Sequence, residues 1–145
     1  MAETKLRKRS EIPEEYKWKL EDMYETDELW EEEADKLAKL GDEMAQFQGK
    51  LGESASNLLA FMKKKDEISY YIARVIVYSN QRSHQDTAVT KYQGYVAKAE
   101  SVAVGVSSAM AFADPEILSI DAEKLEKFYS DEPELLNYKR VIDEI

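Results

Sequence analysis

The residues able to do chemistry in this sequence are few, and what is missing excludes more than what is present allows. His84 is the single histidine and there is no cysteine. A catalytic zinc needs at least three protein ligands, and a helical H-E-x-x-H pair needs two histidines one turn apart. This chain therefore supplies no such site, and no thiol nucleophile or disulfide. His84 stands in Arg82-Ser83-His84-Gln85-Asp86 at a predicted helix end, where an imidazole more often caps carbonyls or faces water than acts as a general base. In the run Glu31-Glu32-Glu33, neighbours on a helix point about 100° apart, so it reads as a solvated face rather than a metal cage. Di-iron bundles pair Glu with Glu-x-x-His on facing helices, and the one Glu100 with the one His84 near the central region cannot make that set. Gly94 and Gly105 are isolated within helical patterns and form no phosphate loop.

Tyrosine is the richer signal. Tyr70, Tyr71, Tyr78, Tyr92 and Tyr95 could line a peptide groove, each offering an apolar wall and a hydrogen-bonding tip. The alternative is core packing with the hydroxyls at the rim, which the burial habits of tyrosine favour.

Composition bounds the elements that must hold these side chains. With 145 residues, 43% of them apolar and 34% charged, the chain suits one soluble globular domain. Only 5 Gly and 3 Pro are available for turns, so a sandwich or barrel is disfavoured and long elements are expected. The net charge of −10 would repel a phosphate backbone, and no nucleic acid partner is expected. Lys5, Arg7, Lys8 and Arg9 are followed by no apolar h-region, which argues against a secretory signal. No stretch approaches the roughly 18 apolar residues of a membrane span. Cytoplasm, with no membrane partner, is the expected address. Charge divides the chain: 12 acids and 2 bases over 11–35, 4 and 7 over 54–113, then 10 and 4 over 114–145.

Periodicity predicts an all-α fold, an antiparallel bundle of three long helices near 27–48, 56–84 and 87–112 with short C-terminal helices. The first helix carries Trp30, Leu37, Leu40, Met44, Phe47 and Leu51 on one stripe, with Thr26 or Asp27 as its cap and the Gly49 to Gly52 region as its stop. The second starts at Ser54 or Ser56 and runs through Leu58, Phe61, Met62, Ile68, Ile72, Val75 and Tyr78. Its stretch from Tyr70 to Tyr78 is also β-prone, but no Gly or Pro separates it from the helical pattern before it. Asp86-Thr87 should cap the third, a central helix whose small residues (Ala97, Ala99, Ala103, Gly105, Ser107, Ser108, Ala109) allow close approach of a neighbour. Asp114-Pro115 reads as an N-cap with Pro at the first helical position. The expected domain is 1–145, with 1–26 an extended arm and short turn and 27–145 the bundle. The last apolar pattern is still periodic at Ile145, as in a chain that continues.

The segment Ile12-Pro13-Glu14-Glu15-Tyr16-Lys17-Trp18-Lys19-Leu20-Glu21-Asp22 has the unusual spacing I-P-x-x-Y-x-W-x-L-x-D, and it resembles the opening of the oligoendopeptidase F family, within the thimet-oligopeptidase-like zinc metallopeptidases. The family commonly has Asp where this chain has Lys19. Further echoes follow in order: Phe47-Gln48-Gly49-Lys50-Leu51, Tyr78 with Asp86-Thr87, and Phe112-Ala113-Asp114-Pro115-Glu116-Ile117-Leu118. The resemblance implies an N-terminal, non-catalytic domain forming part of the wall or lid of a peptide channel. A later domain of the same polypeptide would carry H-E-x-x-H and zinc and cut short peptides.

On that reading this chain holds no cofactor and no catalytic or metal residue, and is inactive alone. Tyr70, Tyr71 and Tyr78 are the candidates for the channel. Leu135, Leu136, Val141, Ile142 and Ile145 are the candidates for the face meeting the catalytic domain, and exposure there would favour a homodimer. The competing expectation is a free-standing acidic helical module that binds a partner helix.

Overall fold

The structure is a computed structural model and describes residues 7–145. The expected arm 1–26 thus lies partly outside the described residues. Among those, the fold is all-helical with no strand. Three 3-10 turns, Arg9–Glu11, Glu14–Tyr16 and Leu20–Asp22, lead into α1 (Asp27–Met44), α2 (Ala55–Gln85) and α3 (Thr90–Ala109). The short helices α4 (Ala113–Leu118), α5 (Ala122–Asp131) and α6 (Lys139–Asp143) follow, with a 3-10 segment Pro133–Tyr138 between the last two.

Local chemistry sets most boundaries. Thr26 Oγ1 accepts from the Leu29 amide at 3.4 Å and Ser54 Oγ from the Asn57 amide at 3.1 Å, so a hydroxyl caps each of the first two long helices. Past Met44 the chain tightens into the turn Ala45–Phe47, and Gly49, at φ +79°, then takes the left-handed conformation that side chains avoid. Tyr70 to Tyr78 is helical throughout, because the apolar stripe of α2 continues through it without a break.

Two expected caps are corrected. α3 begins at Thr90 after Val89, three residues later than the sequence pattern implies, because Asp86 Oδ1 accepts from the Ala88 amide at 3.0 Å and closes a local turn instead. α4 begins at Ala113, so Pro115 sits third in the helix rather than first. Its missing N–H costs nothing there, since first-turn amides have no partner within the helix.

Trp30, Ala34, Leu37, Leu40 and Met44 of α1 meet Leu58, Phe61, Met62, Ile68, Val75 and Tyr78 of α2 in the core. The Trp30 indole donates to the Val75 carbonyl at 2.9 Å, while Glu43, near the end of α1, reaches Lys64 at 3.8 Å. Along α3, Lys91 faces Asp27, Tyr95 faces Glu31 and Lys98 faces Asp35. Gly41 then meets Val106 so closely that an added Cβ would lie 2.9 Å from its Cγ2.

One close approach runs through the glycine of α1, against Val106 of α3. Only Tyr95, Ala99 and Val106 of α3 are buried, while Ala97, Gly105, Ser107 and Ser108 face outward. The absence of a membrane-length apolar stretch is corrected as well. Thr90–Leu118 holds an 18-residue window of mean hydropathy 1.2, of which 17% is buried. Its apolarity comes mainly from Ala and Val, and Met110–Phe112 breaks the run between α3 and α4.

Candidate functional site

The densest polar constellation surrounds the start of α1. Asp27 Oδ1 accepts from the Tyr78 hydroxyl at 2.8 Å, and Oδ2 accepts from Lys91 Nζ at 2.8 Å and the Tyr92 hydroxyl at 3.1 Å. Arg82 donates from Nε to the Tyr78 hydroxyl at 3.0 Å and from its far nitrogen to Glu21 at 2.9 Å, which ties the N-terminal arm to α2. Glu31 accepts from the Tyr95 hydroxyl and Glu33 from the Tyr24 hydroxyl. Trp30 lies between these contacts, stacked on Tyr95 with centroids 4.1 Å apart.

The acidic run is thus more than a solvated face. Residues two apart on a helix point about 200° apart, so Glu31 turns to α3 and Glu33 to the arm and α2, leaving Glu32 exposed.

Burial works against the Asp27 charge, but the hydrogen bonds from Lys91, Tyr78 and Tyr92 outweigh it and hold the carboxyl below its usual range. Burial pushes the Tyr78 phenol up to about 12, and burial with a carboxylate partner pushes Tyr24 and Tyr95 up further. The Asp27 hydrogen bond raises Lys91. Each of these shifts moves its group away from neutrality, the opposite of what an acid–base catalyst needs. The cluster ties α1 to α2 and α3, and α2 to the N-terminal arm.

A groove of about 360 Å³ opens beside it, with Met23 and Leu29 as apolar floor and Glu32, Glu33, Lys36 and Arg74 as charged walls. Arg74 donates to the Met23 carbonyl at 2.9 Å and to the Tyr70 hydroxyl at 3.2 Å. Its buried Nε lies 3.4 Å from Glu33 without forming a hydrogen bond. The Tyr70 hydrogen bond, opposed by burial, raises its pKa further. Lys36 lies over the Tyr71 ring at 5.1 Å, and Tyr70 meets Tyr71 edge to face at 5.6 Å.

Of the three tyrosines expected to face a channel, Tyr70 and Tyr71 lie behind the groove's lining, in contact with Arg74 and Lys36 respectively. Tyr78 does not join them. It is fully buried, and its hydroxyl is spent on Asp27. The C-terminal set also divides: Leu135 and Ile142 are buried in the chain's own core, Ile145 packs partly against it, and Leu136 and Val141 remain exposed at 54% and 45%. His84 is exposed in the last turn of α2, and no cluster of three or more His, Asp or Glu among the described residues could hold a metal ion.

No protein-family model matches the sequence. Individual relatives do. The chain is 37% identical, across its whole length, to Oligopeptidase PepF of Bacillus subtilis, and 34% identical over 94% of its length to Group B oligopeptidase PepB of Streptococcus agalactiae. The plasmid oligoendopeptidase F of Lactococcus lactis subsp. cremoris is 33% identical over the same share. The crystal structure of oligoendopeptidase-F from Enterococcus faecium superposes with a TM-score of 0.72 and 26% identity over 81% of this chain. The chain is homologous to a segment of oligoendopeptidase F. It spans 22–24% of the length of these relatives, and 23% of the Enterococcus chain.

Sequence reasoning missed Asp27, Arg74 and Arg82 as the residues that organise the site in this oligoendopeptidase F homologue. The signal was there: Tyr70, Arg74, Tyr78 and Arg82 recur every fourth residue and so stack along one helical face. It also missed Glu116, whose carboxylate accepts from the Gly49 and Leu51 amides and anchors the loop after α1 to α4.

Proposed function

We propose that this chain is the N-terminal, non-catalytic helical domain of a zinc-dependent oligoendopeptidase and forms part of the wall or lid of its peptide channel. The observation that carries the reading is 37% identity along the entire chain to a protein named as an oligopeptidase. The proposed architecture is a bundle of three long helices with α2 antiparallel to α1 and α3. The contacts from Asp27 to Tyr78 and Lys91, and from Glu43 to Lys64, support it.

On this reading Tyr70 and Tyr71 touch flexible peptides. The groove beside them suits such a ligand, with apolar floor for side chains and charges of both signs for backbone and termini. The partner is the catalytic domain of the same polypeptide, which carries the zinc and meets this chain at Leu136 and Val141. The enzyme works in the cytoplasm. The exposed Leu136 and Val141 also leave a homodimer of the isolated chain open to test.

The reading frame beyond Ile145 gives the first test, and H-E-x-x-H with a downstream Glu is expected in it. In the enzyme it encodes, Tyr70→Ala with Tyr71→Ala should raise KM for a quenched-fluorescent peptide and leave kcat nearly unchanged. The isolated chain should show no chelator-sensitive turnover. A reading frame without that motif would transfer the assignment to a free-standing acidic interaction module.

A further inference from the structure

The cations of the described residues are not all used in the same way. Arg82 and Arg140 each pair with a carboxylate, Glu21 at 2.9 Å and Glu144 at 2.8 Å, and Lys91 and Lys98 do the same with Asp27 and Asp35. Arg7, Lys8 and Arg9 make no side-chain hydrogen bond or ion pair with another described residue. They form one wall of a groove of about 790 Å³, and His84 and Gln85, from the last turn of α2, form the other. Every residue lining it is polar or charged.

Two carboxylates bear on it, Asp86 in its lining and Glu11 beside Lys8, and each accepts from a backbone amide. Glu11 accepts from the Lys8 amide at 2.8 Å and Asp86 from the Ala88 amide at 3.0 Å.

We propose that the groove between Arg7–Arg9 and the end of α2 binds a small phosphate-class oxyanion carrying more than one charge. Two guanidinium forks match the paired oxygens of such an anion, and Lys8 adds a point charge. The walls disfavour an apolar ligand. With no aliphatic side chain in the lining, an apolar molecule gains nothing there. The charge of the whole chain excludes polyanions. At −10, with 12 acids between Glu11 and Asp35, the molecule repels an extended nucleic acid or an anionic membrane, whereas a compact anion can sit inside the basic groove. This assignment does not depend on the peptidase reading.

The single histidine makes the test direct, because only one imidazole resonance exists to report on the groove. Inorganic pyrophosphate is titrated into the purified chain at constant ionic strength, and the His84 ring signals are followed by NMR. A saturable shift that fits one site is expected. Orthophosphate should bind more weakly. In the double variant Arg7→Gln with Arg9→Gln the dissociation constant should rise about tenfold or more, while the amide spectrum of the three long helices is unchanged. Lys8→Gln alone should produce a smaller loss. A shift that never saturates, one that glutamate or chloride reproduces at equal ionic strength, or one that survives the double substitution would overturn the proposal.

Discussion

The start of α1 and the outer face of α3 lie on neighbouring helices and are built in opposite ways. Around Asp27 and Trp30, large aromatics are packed against one another and nearly every polar atom has a partner. On α3, Gly94, Ala97, Ser101, Gly105 and Ser108 make a smooth surface that faces outward, although the helix is the most apolar of the long ones. Glycine has different uses in the two regions. Gly41 is required because Val106 occupies the space a Cβ would take, whereas a Cβ at Gly94 or Gly105 would meet nothing within 4 Å. The comparison separates residues whose reason lies inside this chain from residues whose reason does not.

The strongest way to break that contrast is Trp30→Ala. It removes a fully buried indole, its stacking on Tyr95 and its hydrogen bond to Val75, and should cost about 3–5 kcal/mol in urea unfolding. A loss below 1 kcal/mol would mean the aromatic cluster is not the tightly packed region described. Gly41→Ala comes next, at about 1–3 kcal/mol from overpacking against Val106. Val106→Ala should restore most of that loss, and independent, additive effects of the two changes would contradict the close approach.

Asp27→Asn is expected to cost about 1–2 kcal/mol at neutral pH, by weakening charge-assisted bonds from Lys91, Tyr78 and Tyr92. Because folding lowers the Asp27 pKa, its contribution is present above the unfolded value of about 3.9 and lost as pH falls through the folded value. The variant should therefore have a flatter acid limb in a stability-versus-pH profile. Tyr78 behaves in the reverse sense. Its folded pKa of about 12 means that its contribution is complete below the unfolded value of about 10 and lost as pH rises between the two, so Tyr78→Phe should flatten the alkaline limb.

The smallest effect has the opposite sign. Gly94→Ala and Gly105→Ala should each stabilise the isolated chain by about 0.5–1 kcal/mol, since each gives up glycine's backbone entropy in a helix interior and meets no neighbour. Destabilisation by either would show that the outer face of α3 is covered in solution.

Much of this was legible in the residues themselves. Helical type followed from the stripe Trp30, Leu37, Leu40 and Met44 and from the unbroken run of α2, and Thr26 and Ser54 marked two helix starts at the positions where their hydroxyls accept amides. The reading weakened wherever an answer depended on a distant partner. Pattern alone made Tyr78 a channel candidate equal to Tyr70 and Tyr71, but its exposure depends on Asp27, fifty-one residues away in the chain. Composition alone did not separate the two faces of α3, since small apolar residues look the same whether they pack against a neighbour, as Ala99 does, or face outward, as Ala97 does.

Amino-acid order therefore settles here what short-range forces control: helix type from periodicity, and the starts of α1 and α2 from the hydroxyls of Thr26 and Ser54. Tertiary structure alone decides which carboxylate becomes a hub, which face of α3 is covered, and which of Leu135, Leu136, Val141 and Ile142 reach the core. The physical reason is range. Capping and periodicity act within one or two turns of chain, whereas burial and charge pairing depend on segments that only folding brings within a few ångström of each other.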